Sequence, residues 1–290
     1  MHRANFEAIG TVWNILVEDI QDAAWLRLTE VIRSRIDDFD AAYSRFRPDS
    51  WVSKLAQTAG TYDLPPDGHK MLAFYETLYM LSNGKVTPLI GQLMADAGYD
   101  DAYSFEQKPL QEPPAWEDVL SFTKTQIILE QPALLDFGAA GKGYLVDLVA
   151  ELISQAGAKS FTINAGGDIL HRSGKQRQFE AALENPFDTS EAVGVVQLGN
   201  QSLCASAGSK RAWGDFHHII DPVSLSSPRQ IAATWVIADD TITADGLATA
   251  LFFCDPETLA KKCSFAYALL RPDMSIEHSA NFPLTAFEAA

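Results

Sequence analysis

The chain lacks any apolar run approaching 18 residues, the shortest stretch that normally crosses a bilayer as a helix. Its first residues, MHRANFEAIGTVW, also lack the apolar centre of a secretion signal. As written, the sequence therefore predicts a cytoplasmic protein, or a periplasmic one if a leader has been removed. Hydrophobic residues (47%) and charged residues (21%) occur at levels typical of globular domains.

Positive charge is scarce. The 290 residues include 22 Lys and Arg against 38 Asp and Glu, which gives a net charge of −16 and a pI near 4.7. A duplex nucleic-acid partner usually requires the opposite balance. The same scarcity means that any anionic substrate would need local compensation from clustered cations or from a bound metal.

Cysteine is also sparse. Cys204, Cys254 and Cys263 are separated by 50 and 9 residues, and no CxxC pair occurs. The usual zinc-binding spacings are therefore missing. An odd, low count is typical of a reducing compartment, and we expect inert, buried thiols rather than a redox site.

Hydrophobic periodicity alternates between strand and helix types, which predicts a mixed α/β or α+β fold. A proline-rich, charged segment at about 106–116 is expected to be an exposed connection. The predicted strands are 7–18, 132–137, 159–170, 193–199, 202–208, 216–221 and 231–238. Helices are predicted over 22–46, over 69–84, where Asn83-Gly84 signals the end, and over 243–253. A further helix is predicted from the apolar face formed by Leu145, Leu148, Val149, Leu152 and Ile153, and it ends at Gly157.

Residues 136–147, DFGAAGKGYLVD, place three glycines and Lys142 between a predicted strand and a predicted helix. A helix N-terminus presents free N–H groups and a positive dipole end, which is a natural seat for a phosphate. The Walker pattern fails because Gly143 follows Lys142, and the order GxxGxG is not the dinucleotide fingerprint. On spacing alone, a structural turn explains the glycines equally well.

Three further segments contain polar side chains suited to a site. In INAGGDIL (163–170), the paired glycines indicate a hairpin turn or part of a binding site. In DFHHIIDP (215–222), adjacent histidines of an extended chain point to opposite faces, so His218 and Ile220 would share one side, with Asp221 beside them. A single histidine of this kind is more often a core or surface residue than a catalyst.

The segment TADGLATALFF (243–253) places Asp245 and Thr249 four residues apart, on one face of a helix. A carboxylate and a hydroxyl are hard oxygen ligands that suit Mg²⁺. The alternative is that Asp245 is simply the N-cap of that helix.

Taken in order, these segments resemble the FAD:protein FMN transferases, the ApbE-like flavin transferases. IGTVW, YSRFRPDSWVSKLA and NGKVTPLIGQL are similar to the family's MGT, FSxFxPxSxLSxLN and GxFDxTxGPL segments. DFGAAGKGYLVD, INAGGDI, HHIIDP and TADGLATALF match DLGGIAKGYAVD, NxGGDI, SHIIDP and xADALATALF. The resemblance spans nearly the whole chain. It implies one T-fold-like domain over residues 1–290, with mixed sheets, packed helices and FAD in a cleft.

The resemblance also implies the roles of particular residues. Mg²⁺ would be bound by Asp245, Thr249 and the backbone oxygen of Ala139. His218 would be the catalytic histidine, with Asp221 fixing its imidazole. The positions that match FAD contacts are Ile9, Phe46, Lys85, Val86, Thr87, Asp136, Lys142 and Ile220.

The implied reaction is Mg²⁺-dependent transfer of FMN from FAD to a Ser or Thr hydroxyl of an acceptor flavoprotein, with release of AMP. Phosphoryl transfer depends on positioning and charge neutralisation, which the metal, Lys142, the loop amides and Lys210 or Arg211 of AGSKRAW could provide.

Three positions depart from the family pattern: Ala56 where Asn is frequent, Thr87 where Asp is frequent, and Ile9 in place of Met. The loss of a polar group at Ala56 could decide whether bound FAD is held or cleaved, and Thr87 changes the segment expected to grip the adenosine end. FAD hydrolysis to FMN and AMP, and FAD binding without cleavage, therefore stay open as alternatives.

Overall fold

An eight-stranded antiparallel sheet forms the centre of the computed structural model, which describes residues 1–287. The strands are β1 (His2–Ala8), β2 (Thr11–Val17), β3 (Gly60–Asp63), β4 (Leu120–Phe122), β5 (Gln126–Leu129), β6 (Phe161–Ala165), β7 (Asp168–Arg172), β8 (Phe179–Glu184), β9 (Ala192–Leu198), β10 (Ser202–Ala207), β11 (Ala212–Trp213), β12 (Phe216–His217), β13 (Ala233–Ala238), β14 (Ala266–Leu270), β15 (Ile276–His278) and β16 (Leu284–Ala286).

Eight α-helices accompany the sheets in residues 1–287, and the predicted mixed α/β class is confirmed. They are α1 (Asp22–Tyr43), α2 (Trp51–Leu55), α3 (Gly68–Leu81), α4 (Gly91–Asp96), α5 (Trp116–Val119), α6 (Gly141–Gln155), α7 (Thr241–Ala250) and α8 (Pro256–Ala260). The central sheet has the order β1-β2-β6-β7-β10-β13-β14-β15, and smaller sheets form from β16-β9-β8, β3-β5-β4 and β11-β12.

Two apolar clusters position the helices that contribute residues to the candidate site. Alternate residues of β2, namely Trp13, Ile15 and Val17, are fully buried in a core shared with α1, α3 and α6. Helix α7 packs on β10, on β13 and on α6, and its buried face joins a second cluster with Val236 and Leu269. Because α6 and α7 are in contact, their N-terminal halves are held side by side.

The periodic helices form as predicted. The apolar face of α1 is buried from Trp25 to Phe39, although the helix ends at Tyr43 rather than at 46. Helix α3 ends before Asn83 and Gly84, whose φ values are 51° and 85°, a left-handed conformation that terminates helices. Helix α6 ends before Gly157, with φ of 93°.

The strand predicted over 7–18 was wrong because it spans a hairpin. Residues Ala8 and Thr11 pair across a two-residue turn, and the turn residues Ile9 and Gly10 have φ of 45° and 71°. Positive φ at both central positions is the type I′ geometry. A β-branched residue such as Ile9 rarely adopts a positive φ. Hydrophobic periodicity therefore gives no sign of a turn at this position.

Two other predicted strands are shorter or missing. Residues 132–137 have no regular structure and join no sheet of the described chain, because Asp136 N donates to Pro88 O (2.8 Å) and Ala133 N donates to Leu55 O (3.2 Å), both in non-strand segments. In 216–221 only Phe216–His217 forms a strand. Its pairing stops because Asp221 turns back to Ser226 through a 2.9 Å backbone bond.

The proline-rich connection covers residues 106–115, which lack regular structure and are mostly exposed. It ends one residue earlier than predicted, because Trp116 is buried and begins α5. The paired glycines Gly166 and Gly167, with φ of 62° and 102°, form the turn between β6 and β7, so the hairpin interpretation of that segment is confirmed.

Two scarcities in the sequence have structural counterparts. Among residues 1–287, none of the helices is long and apolar enough to cross a membrane. All three cysteines are free. Burial raises the pKa of the Cys204 thiol well above its ordinary value, so the thiol stays protonated and unreactive, as expected.

Candidate functional site

A cavity of about 1510 Å³ gathers residues from distant parts of the chain. Its volume suits a large organic cofactor. Every residue that the sequence placed in the site lines this cavity except Asp221: Ile9, Phe46, Lys85, Val86, Thr87, Asp136, Ala139, Lys142, His218, Ile220, Asp245 and Thr249. The predicted site residues therefore converge on one space.

Helix α7 is fixed at its start by two carboxylates other than Asp245. Asp240 is the N-cap and accepts from Thr243 N (3.1 Å). Asp147 of α6 accepts from the backbone N–H groups of Thr241 (2.8 Å) and Ile242 (2.9 Å). The alternative that Asp245 is the N-cap was therefore wrong: it lies one turn further on, buried, and faces the cavity.

Gly143 allows α6 and α7 to approach closely enough to form this corner. A Cβ at that position would overlap the carbonyl of Thr241 and would lie 2.6 Å from the Asp245 Cβ. In place of a side chain, Gly143 presents its N–H, which donates to Asp245 Oδ2 at 2.8 Å. The glycine thus orients the carboxylate by packing and by a hydrogen bond.

Three oxygen-bearing groups line the cavity where α7 faces the loop before α6. The Thr249 hydroxyl lies 3.5 Å from the Ala139 carbonyl oxygen, and Asp245 is one turn away on the same helix. These hard oxygen atoms fit Mg²⁺ chemically, since this ion is commonly held by one carboxylate, waters and substrate phosphates. Within residues 1–287, no cluster of three His, Cys, Asp or Glu side chains could hold a metal.

Asp168 joins this corner, although the sequence indicated only a turn residue. It is 1% exposed; one carboxylate oxygen pairs with Lys142, and the other, Oδ1, has no hydrogen-bond partner in the described chain. Burial and the charge of Asp168 raise the pKa of Asp245. Two buried carboxylates against one lysine leave excess negative charge, which a cation would offset.

The loop amides, expected to be free for a phosphate, are mostly used within the protein. Gly138 N donates to Asp136 (2.7 Å), and the amides of Ala139 and Ala140 both donate to the Tyr75 hydroxyl (3.1 Å each). Gly141 N donates to Phe137 O (2.7 Å), and Gly143 N donates to Asp245. The expectation of bare amides was therefore wrong for these five positions, and the glycines there serve packing.

His218 faces the cavity and His217 does not, as the alternation predicted. His217 Nε2 lies 3.0 Å from Pro228 O, and its Nδ1 accepts from Ile219 N. Nδ1 of His218 is buried without a partner in residues 1–287. Burial, Arg211 and His217 together lower the pKa of His218 to about 3, so its imidazole is neutral and able to accept a proton.

The predicted contact between Asp221 and His218 is not formed. The Asp221 carboxylate accepts from Lys85 Nζ (2.6 Å) and from Val223 N (2.9 Å), and these bonds lower its pKa although burial alone would raise it. Asp221 therefore holds Lys85 at the cavity wall rather than orienting the imidazole.

The family departures have different consequences in the structure. Ala56 is the C-cap of α2 and does not line the cavity, and the effect expected of it on bound FAD stays a prediction. Thr87 is buried and its hydroxyl accepts from Leu89 N (3.2 Å), capping a 3-10 turn, a role that Asp also fills. Ile9 reaches the cavity from the hairpin turn.

Sequence reasoning missed Arg45 and an aromatic wall. Arg45 donates to Asp136 (2.6 Å) and lies over the Phe46 ring at 4.2 Å. The Phe46 and Tyr103 rings are parallel, 5.2 Å apart, and Tyr99 stacks on Trp213 at 5.3 Å. The aromatic spacing in 98–105 was the available signal. Such faces suit a flat ring system.

Known proteins resemble this chain in sequence and in fold. A sequence model of the ApbE family matches residues 9–267. The FAD:protein FMN transferase of Haemophilus influenzae is 28% identical over 273 residues, covering 84% of this chain and 78% of that protein. The FAD:protein FMN transferase of Escherichia coli K12 is 23% identical over 276 residues, covering 87% and 78%.

Two solved structures share the fold. The ApbE protein of Thermotoga maritima has a TM-score of 0.85 at 19% identity, covering 96% of this chain and 97% of that one. The flavin transferase ApbE of Vibrio cholerae has a TM-score of 0.78 at 19% identity, covering 98% and 99%.

Proposed function

The chain belongs to the ApbE family, and from this we propose that it transfers FMN from FAD to a Ser or Thr hydroxyl of an acceptor flavoprotein, releasing AMP. The observation that carries the proposal is the meeting of Asp245, Thr249, the Ala139 carbonyl and His218 on one cavity. Relatives named FAD:protein FMN transferases support the choice of reaction.

The proposed metal is Mg²⁺, held by Asp245, Thr249 and the Ala139 carbonyl oxygen. When bound, it would offset the negative charge of the FAD diphosphate. Gly143 orients the Asp245 carboxylate, and Lys142 is held beside it by Asp168. Burial would lower the pKa of Lys142, but Asp168 and Asp245 raise it above its ordinary value, so this lysine keeps its charge.

His218 is proposed to accept the proton of the acceptor hydroxyl. The hydroxyl oxygen forms a bond to the phosphorus of the FMN half, the bond from that phosphorus to the bridging oxygen breaks, and AMP leaves with the electron pair. A neutral imidazole is required for this step, and burial keeps His218 neutral by lowering its pKa, which also makes it a weaker base than a free histidine. The aromatic wall around Phe46 would take the flat rings of FAD.

The test is incubation with FAD, Mg²⁺ and a candidate acceptor, followed by intact mass measurement of the acceptor and assay of AMP. The proposal expects a mass gain of one FMN minus one water and equimolar AMP, both absent when the acceptor Ser or Thr is replaced by Ala. If AMP forms without an acceptor, the activity is FAD hydrolysis and not transfer. Stable FAD binding without AMP in the presence of a known acceptor would indicate a holder of FAD.

A further inference from the structure

The positive side chains around the cavity differ in whether their charge is already matched. Six of them line it: Arg45, Arg47, Lys85, Lys142, Lys210 and Arg211. The first five pair with carboxylates, namely Asp136, Asp40 and Asp49, Asp221, Asp168 and Glu184. Arg211 has no carboxylate partner among residues 1–287, and its side chain is exposed in the cavity. Among residues 1–287, its charge is therefore the cavity cation not already matched by a carboxylate.

The hairpin formed by β11 and β12 places Arg211 directly beside the proposed base. Ala212 pairs with His217, and the Arg211 carbonyl oxygen accepts from His218 N at 3.0 Å. Burial is the main cause of the lowered pKa of His218, and the Arg211 guanidinium adds to that effect. Arg211 thus lies within electrostatic reach of the proposed base, and it lines the same cavity as Asp245.

We propose that Arg211 binds the diphosphate of FAD through its guanidinium and is a specificity-determining residue for dinucleotide over free flavin. The inference rests on the proposed function. A guanidinium presents several N–H donors in a plane and forms paired hydrogen bonds to phosphate oxygens. Lys210, the neighbouring cation in AGSKRAW, does not serve because its ammonium is held by Glu184.

The test compares binding of FAD and of riboflavin, which lacks phosphate, by calorimetry in saturating Mg²⁺. Arg211→Ala should weaken FAD binding about 10–100-fold, the range for charge-assisted hydrogen bonds, and leave riboflavin binding within about twofold. Arg211→Lys should recover part of the FAD affinity, because the charge returns without the planar donor pair. Lys210→Ala is the matched control and should change neither affinity by more than about twofold.

Unchanged FAD affinity in Arg211→Ala would overturn the assignment, and so would equal losses for FAD and riboflavin. A thermal melt of each variant, together with Arg211→Gln as a second uncharged replacement, separates lost binding from lost folding. If the wild-type protein binds FAD but transfers nothing, the proposed function fails while the Arg211 assignment stands. If the wild-type protein binds no FAD, both fail.

Discussion

The loop before α6 and the hairpin that carries Arg211 and His218 both line the cavity, but they differ in how their polar groups are used. In the loop and the first turn of α6, five backbone amides already donate to Asp136, Tyr75, Phe137 or Asp245. In the hairpin, the Arg211 guanidinium has no ion pair within residues 1–287, and His218 Nδ1 is buried without a partner.

This difference shows that glycine-rich sequence and ligand-binding capacity are separate properties. Gly143 allows the backbone of α6 to pack closely against α7, and the amides of this segment are satisfied by the protein itself. Groups that remain unsatisfied in a buried setting are costly unless a ligand completes them. The proposed contacts to the diphosphate and its metal are therefore side chains on the hairpin, on α6 and on α7, together with the Ala139 carbonyl oxygen, while the loop amides serve the protein's own structure.

If side chains outside the loop hold the ligand, Asp245→Asn should have the largest effect on transfer. Loss of the metal carboxylate should lower kcat/KM by about 10³-fold or more, since a bound metal supplies several kcal/mol of charge stabilisation. The fold should persist in EDTA, because an amide can still accept from Gly143 and no charge is buried. Kinetics and thermal melts with and without Mg²⁺ measure both effects.

The exposed Asp239→Asn is the matched control for that variant and should behave as wild type. Mg²⁺ should raise the melting temperature of the wild-type protein and leave that of Asp245→Asn unchanged. If Asp245→Asn transferred FMN at the wild-type rate in Mg²⁺, Asp245 would not be a metal ligand.

His218→Ala should lower kcat by about 10²–10⁴-fold, the usual contribution of a general base. The Kd for FAD should change by less than about threefold, because the proposed role is proton acceptance and not binding. Single-turnover kinetics and a binding titration separate the two quantities. Full turnover in this variant would show that the hairpin supplies no base.

Tyr75→Phe tests the loop directly. Removal of the hydroxyl leaves the buried amides of Ala139 and Ala140 without an acceptor, which should lower the free energy of unfolding by about 1–3 kcal/mol. FAD affinity should fall or stay constant. If the amides were the phosphate donors, freeing them would tighten FAD binding, and that result would reverse the roles given to loop and hairpin.

The control for this variant is Tyr79→Phe on the same helix. The Tyr79 hydroxyl donates to the Glu117 carboxylate and accepts from Trp116 N, and Tyr79 does not line the cavity. FAD affinity should therefore be unchanged. Chemical denaturation and calorimetry on both variants provide the comparison.

The smallest expected effect is the pH dependence of kcat/KM, which reports the free enzyme. Because the pKa of His218 is lowered to about 3, the base stays neutral as pH falls, and kcat/KM in saturating Mg²⁺ should change less than about twofold from pH 8 to 5.5. If His218 had the ordinary histidine pKa of 6.5, kcat/KM would fall about tenfold between pH 8 and pH 5.5. A fall with a midpoint near 6.5 would contradict the desolvated imidazole.

Local periodicity predicted the helices because each buries one face, as α1 does from Trp25 to Phe39. The turn at Ile9 and Gly10 was missed because a β-branched residue at positive φ has no local signal. The site residues were placed by family resemblance. Their partners were not, because Tyr75 binds amides 64 and 65 residues away and Arg45 pairs across 91 residues.

A crystal structure with FAD and Mg²⁺ bound tests the central claim most directly. We expect the diphosphate to contact Arg211 and a cation held by Asp245 and Thr249, with the Tyr75 hydroxyl still accepting from Ala139 and Ala140. Phosphates seated on the amides of 138–140, with Tyr75 displaced, would contradict the account.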